Sequence, residues 1–318
     1  MKNNFDRSAQ TVVSRCLDVK KDEAVLILCD EPMLEIAQAL QATCRKKTRN
    51  CLSLQLTSEA LQRDLLASVT ELMQQMNVII AVTSIAVSHT DGFRAACSKG
   101  ARAVTMPNIL SSTFSRLAGM NFERVARRSI KIADVLSFTQ NVEVKAPNGT
   151  ELRLCIADRK GYADTGLVHN PGDFSNLPAG EACIAPLEGM VEGEVVVDCG
   201  LDVSREDDER LVLSIKEGRI ARISGGKTAN RLRQKFAKVG AACRMVAELG
   251  IGTNDAAVIS GYSLEDEKVL GTMHVGFGNN LAFGGTVDAP IHLDAVVYKA
   301  TVVMDGRKIV ENGKLLLD

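Results

Sequence analysis

Four side chains near the C-terminal end can hold a divalent metal ion: Glu248, His274, His292 and Asp294. They lie in the segments ELGIGTN, DEKVLGTMHVGFGNN and IHLD, in a chain with only four histidines. Carboxylate plus imidazole is the ligand set of catalytic zinc, cobalt, manganese and ferrous sites. Gly271, Gly276, Gly278, Gly284 and Gly285 stand between them. Glycine admits close backbone approach to a ligand, and equally marks bulges and bends. His292 and Asp294 are two apart, which on a strand puts both on one face with Leu293 packing behind. A His-x-Asp pair also describes a buried histidine bonded to its neighbour's carboxylate, and a lone strand histidine such as His274 is often a satisfied core residue. Glu248 reads as the end of a helix, with Gly250 as its left-handed cap. A carboxylate there faces the negative end of the helix dipole, a conflict that a nearby cation offsets.

A fifth candidate is Glu181, which follows Pro178-Ala179-Gly180 and opens the apolar strand EACIAP. A carboxylate entering a buried strand needs a partner or a metal; a strand-end surface acid is the alternative. Glu188, Glu192 and Glu194 read as solvated charge, with Glu188 also able to stand just behind a ligand.

The elements that carry these residues fall into two halves. Residues 1–135 alternate strand and helix: DEAVLILCD, NCLSLQLTS, NVIIAVTSI and ARAVTMPNI are strand-like, and helical spacing fills the stretches between. That order predicts an α/β domain with a parallel, doubly wound sheet. No G-x-G-x-x-G or Walker loop follows any strand, so nucleotide binding is not expected. FERVARRSIKIADVLSFTQ predicts a helix joining the halves. Residues 136–318 predict an α+β domain rich in antiparallel sheet, with hairpins at Pro-Asn-Gly, Asp-Gly (305–306) and Asn-Gly (312–313). One long helix, running from Lys227 through MVAEL, is expected to interrupt these strands.

Composition narrows the function. Hydrophobic residues make up 46% and charged residues 24% of the 318 positions, the profile of a soluble globular protein. A net charge of −1 gives no reason to expect nucleic acid or an anionic membrane as partner. No run approaches the ~20 apolar residues of a bilayer span, and the first residues lack a signal peptide's apolar core, so a cytoplasmic location is expected. Nine scattered cysteines without a C-x-x-C pair suit reduced, mostly buried thiols. Tryptophan is absent and aromatics are 4%, which argues against a large aromatic-walled pocket.

The order NLPAGE, ELGIGTN, DEKVLGTMHVGFG, GG and HLD resembles the C-terminal half of the M29 metal-dependent aminopeptidases, over roughly residues 130–318. The resemblance implies two divalent ions (zinc, cobalt or manganese), a homodimer and hydrolysis of a small peptide or amide by a metal-activated water. Glu181, Glu248, His274, His292 and Asp294 match the five metal ligands. Asp294 would bridge the ions, Glu181 and His292 would complete one shell, and Glu248 and His274 the other. Glu248 or Glu188 would move the proton. Two departures stand out: Leu281 occupies the position of the family's tyrosine, and the segment from His274 to His292 is shorter. A related branch, the 2,5-dihydroxypyridine dioxygenases, implies instead one Fe(II) held by His274, His292 and Asp294, a 2-His-1-carboxylate triad. Retention of both glutamates favours the two-metal hydrolase.

Overall fold

A computed structural model of the protein describes residues 2–61, 67–88, 90–201 and 209–317. Five short strands make a parallel sheet: β1 (Val25–Cys29), β2 (Cys51–Gln55), β3 (Val78–Val82), β4 (Arg102–Thr105) and β8 (Phe174–Asn176), in the order β2-β1-β3-β4-β8. The central strands β1 and β3 are wholly buried, as VLILC and VIIAV require when helices cover both faces. Between β2 and β3 the chain is helical at Ser58–Leu61 and Ala67–Met73, and positions 62–66 lie outside the described residues.

The chain separates into two compact units. Met1–Glu123 and Thr165–Ala179 form the first; Arg124–Asp164 and Gly180–Asp318 form the second. This differs in two ways from a simple division after residue 135. The second unit begins within the helix Phe122–Ser137, whose Ile132, Ala133 and Leu136 join its core. Thr165–Ala179 returns to the first unit because β8 pairs with β4.

Two antiparallel sheets build the second unit. The larger uses β5 (Asn141–Lys145), β6 (Glu151–Cys155), β10 (Val191–Val197), β12 (Leu211–Lys216), β13 (Arg219–Ser224), β17 (Thr301–Met304), β18 (Arg307–Glu311) and β19 (Lys314–Leu315). Its hairpins turn where the sequence expects: Asp305-Gly306 and Asn312-Gly313 all have positive φ, the conformation of a tight two-residue turn. The smaller sheet runs β11 (Cys199–Gly200), β16 (His292–Val297), β15 (Met273–Gly278), β14 (Val246–Gly252), β9 (Glu181–Ile184), β7 (Tyr162–Asp164). Leu249, Ile251, Met273, Val275, Phe277, Leu293 and Ala295 face inward from this sheet and share one apolar core with Val142, Leu152, Val195, Leu213 and Val302 of the larger. The smaller sheet therefore has a committed apolar face, and its alternate residues must point the other way.

One expected element is different. The long helix stops at Val239, and Val246–Gly252 is a strand, not the helix's last turns. Gly240 has φ +99°, which ends the helix. Leu249 and Ile251 then gain more by entering the core than their helical propensity offers. Glu248 consequently lies in mid-strand, and the helix-dipole conflict does not arise. Among the described residues, no helix is long and apolar enough to cross a membrane.

Candidate metal centre

The outer face of the smaller sheet carries the chemistry. Register sets it out in rows: Asp164–Glu181–Gly252, Tyr162–Cys183–Gly250–His274, Glu248–Gly276–Asp294 and Gly278–His292. β14 reads Glu-x-Gly-x-Gly and β15 reads His-x-Gly-x-Gly. Each row thus sets at least one glycine beside a polar side chain. These glycines make room: a Cβ at Gly250 would lie 2.1 Å from the His274 ring, and one at Gly276 would lie 2.7 Å from His292 Nε2 and 2.8 Å from Glu248 Cβ. The sheet clears a floor on which imidazoles and carboxylates lie.

On that floor the five expected ligands come together. His292 Nε2 is 2.9 Å from Glu248 Oε2 and 3.0 Å from Asp294 Oδ1. His274 Nε2 is 3.7 Å from Glu248 Oε1 and 3.3 Å from Glu181 Oε2. Two groups of three follow, Glu181–Glu248–His274 and Glu248–His292–Asp294. The pairing differs from the one the M29 resemblance implies. Glu248, not Asp294, is the shared carboxylate, and Glu181 sits with His274 rather than His292. Strand order is the reason: β14 lies between β9 and β15, so Glu248 is central and Glu181 is on the far side from β16.

The electrostatics are those of a place for a cation. Burial opposes charge on His274, but its hydrogen bond to Glu248 and the nearby Glu181, Glu248 and Glu267 carry it up to about 9. Burial likewise opposes charge on His292, yet Asp294 and Glu248 lift it well above the usual imidazole value. The same pairing holds Glu248 well below the carboxylate range despite its burial. His292 Nδ1 lies 2.7 Å from the carbonyl of Asn279. A carbonyl only accepts, so Nδ1 carries hydrogen and donates, which turns Nε2 inward; metal-ligating histidines are oriented in this way. Glu181 Oε2 is buried without a hydrogen bond and faces the His274 ring.

Glu188 stands apart from both groups. Its Oε2 pairs with Arg159, and its Oε1 accepts from Thr286 N at 2.8 Å and Asn280 Nδ2 at 3.2 Å. Burial raises its pKa, but these hydrogen bonds and the Arg159 charge bring the net value down. With both oxygens engaged and no place in either group, this carboxylate pins a loop. Arg159 also donates to the carbonyl of Gly284, tying down the same loop. Charge-assisted hydrogen bonds of this type contribute about 1.5–3 kcal/mol. Arg159→Ala is therefore expected to speed protease cleavage within 279–291 about tenfold or more, with metal content unchanged. Cleavage at the wild-type rate would show that the clamp does not hold the loop.

That loop brings aromatic surface to the site. Leu281, at the family's tyrosine position, is 48% exposed. Phe283, two residues on, has its ring centroid 5.5 Å from that of His292 and 6.3 Å from that of Tyr162. Few as the aromatics are, two of them stand here. The sequence reading also missed Glu267, Lys268 and Asp164. Glu265 to Lys268 form a run of four charged residues, all at most 6% exposed. A charge run normally reads as solvated; its placement between apolar segments was the available signal.

The fold and this donor set define a metal-dependent enzyme. The chain belongs to the family of NicX, 2,5-dihydroxypyridine 5,6-dioxygenase, whose model matches residues 7–317. Its fold is similar to that of a 2,5-dihydroxypyridine dioxygenase from Pseudomonas putida KT2440, with TM-score 0.84 and 17% identity over 100% of this chain and 98% of that one. It is also similar to AmpT from Thermus thermophilus, with TM-score 0.73 and 16% identity over 99% and 100%. At those identities the likeness is one of fold, and the M29 aminopeptidase resemblance stands at that level. No curated protein sequence matches the chain.

Proposed function

We propose that the protein is a mononuclear Fe(II) dioxygenase that opens a dihydroxylated nitrogen-containing ring of the 2,5-dihydroxypyridine type. The observation that carries this reading is the family match over residues 7–317, with His274, His292 and Asp294 on one cleared sheet face. The donor set fits the ion in kind: two imidazoles and one carboxylate suit non-haem iron, and Glu248, shared by the two groups of three, sets one oxygen against each Nε2. When bound, Fe(II) would bring O₂ and the ring hydroxyl together and supply the electron transfer that O₂ insertion needs. Both oxygen atoms enter the product as one ring bond breaks, so no external reductant is consumed.

The chain's own residues do the rest. His274, His292 and Asp294 would hold the ion. Glu248, between them, accepts the proton of the ring hydroxyl at a carboxylate oxygen. Phe283 and Tyr162 offer flat surface against which an aromatic ring stacks. The Glu188–Arg159 pair holds the loop that carries Phe283.

Removing metal with a chelator is expected to abolish oxygen consumption with 2,5-dihydroxypyridine, and Fe(II) is expected to restore it where Zn(II) does not. An oxygen electrode follows both steps. Unchanged consumption after chelation, or none from iron-loaded protein across dihydroxylated rings, would sink the reading. The two overlapping ligand groups favour a second reading, a two-metal aminopeptidase acting on small peptides or amides. It predicts release of N-terminal residues by protein loaded with zinc, cobalt or manganese.

A further inference from the structure

The Glu181 half of the site already holds a cation, and that cation belongs to the protein. Lys268 is 1% exposed. Its Nζ lies 2.6 Å from Glu181 Oε1, 2.9 Å from Glu267 Oε1 and 3.9 Å from Asp164 Oδ2. The backbone fixes it there: Lys268 N donates to Glu265 O at 3.0 Å, and Lys268 O accepts from Asn254 N at 2.9 Å. Three carboxylates thus face one ammonium in a buried site. An ammonium donates hydrogen bonds and has no lone pair for a metal.

The consequence for metal binding is asymmetric. A dication at Glu181–Glu248–His274 would sit one carboxylate's width from this ammonium. Like charges so close repel strongly in a buried site. Glu181 would also have to bridge a metal and a lysine. The His274–His292–Asp294 triad leaves Glu181 to the lysine: its carboxylate, Asp294, lies 3.0 Å from His292 Nε2, an imidazole that ligates once neutral.

We propose that Lys268 sets the metal count at one, supplying beside Glu181 the positive charge that a second dication would otherwise supply. This deepens the single-iron reading and rests on it. Glu181 and Glu267 thereby become carboxylates that position the lysine, and a two-metal ligand set works as a one-metal centre.

The test is Mn²⁺ stoichiometry on the full chain, by equilibrium dialysis with the Mn²⁺ electron paramagnetic resonance spectrum read in parallel. Wild type and Lys268→Arg are expected to bind one Mn²⁺ per chain with an isolated-ion signal. Lys268→Met is expected to bind two, with the broadened signal of a coupled pair. Because a lost lysine strands buried Glu267, the double variant Lys268→Met/Glu267→Gln removes the pair together, and it too is expected to bind two. One ion in the wild type and one in a folded variant would overturn the role of Lys268 while leaving the single-iron reading intact. Two ions in the wild type would overturn both.

Discussion

Replacing His292 with alanine is expected to abolish metal retention and turnover while leaving the sheet folded. His292 is the meeting point of the site: Glu248, Asp294 and the Asn279 carbonyl all reach its ring. Loss of a partner one step removed from a metal commonly costs ~10–100-fold in affinity or activity, and loss of the ligand itself should exceed that. Leu293 and Ala295, on the opposite face of β16, keep their place in the core, so circular dichroism should be unchanged. Iron measured after dialysis, beside oxygen consumption, checks both halves. A variant that keeps stoichiometric iron would remove His292 from the centre.

The second large effect comes from a residue with no functional group. Gly250→Ala puts a methyl 2.1 Å from His274 Cε1 and Nε2. Its backbone has no left-handed strain, so alanine is acceptable to the strand itself; the cost lies in the ring it displaces. Overpacking of this kind costs typically ~1–3 kcal/mol, and here it falls on one imidazole. Iron affinity is expected to drop about 10–100-fold, with a smaller change in the denaturation midpoint, as for loss of an outer partner. Gly276→Ala should act in the same direction through His292 and Glu248. Wild-type iron affinity in both would mean that the glycine floor does not position the ligands.

The residues of the site were more legible in the sequence than its wiring. His292 and Asp294 follow from two-residue strand periodicity, and Glu181 from an acid opening an apolar strand. Glu248 was expected on a helix and lies on a strand. AACRMVAEL continues a helical pattern, and only the positive φ of Gly240 and the core positions of Leu249 and Ile251 turn it into β14. The echo between ELGIG and HVGFG was the clue, since glycine at every second position describes one face of a sheet. The ligand pairing depends on the strand order β16-β15-β14-β9, which spacing along a chain does not encode. Lys268 was hidden for a similar reason: its partners Asp164 and Glu181 lie about a hundred residues earlier, and only the fold brings them to it. The parallel sheet of the first half was legible because its strands are unbroken apolar runs.

The most direct measurement is the fate of oxygen. Iron-loaded protein would be given ¹⁸O₂ with 2,5-dihydroxypyridine, and the ring-opened product weighed by mass spectrometry. Both labelled atoms are expected in the product, with one O₂ consumed per ring opened. Product labelled only from water, or an intact ring under conditions where the protein cleaves peptides, would contradict a ring-cleaving dioxygenase.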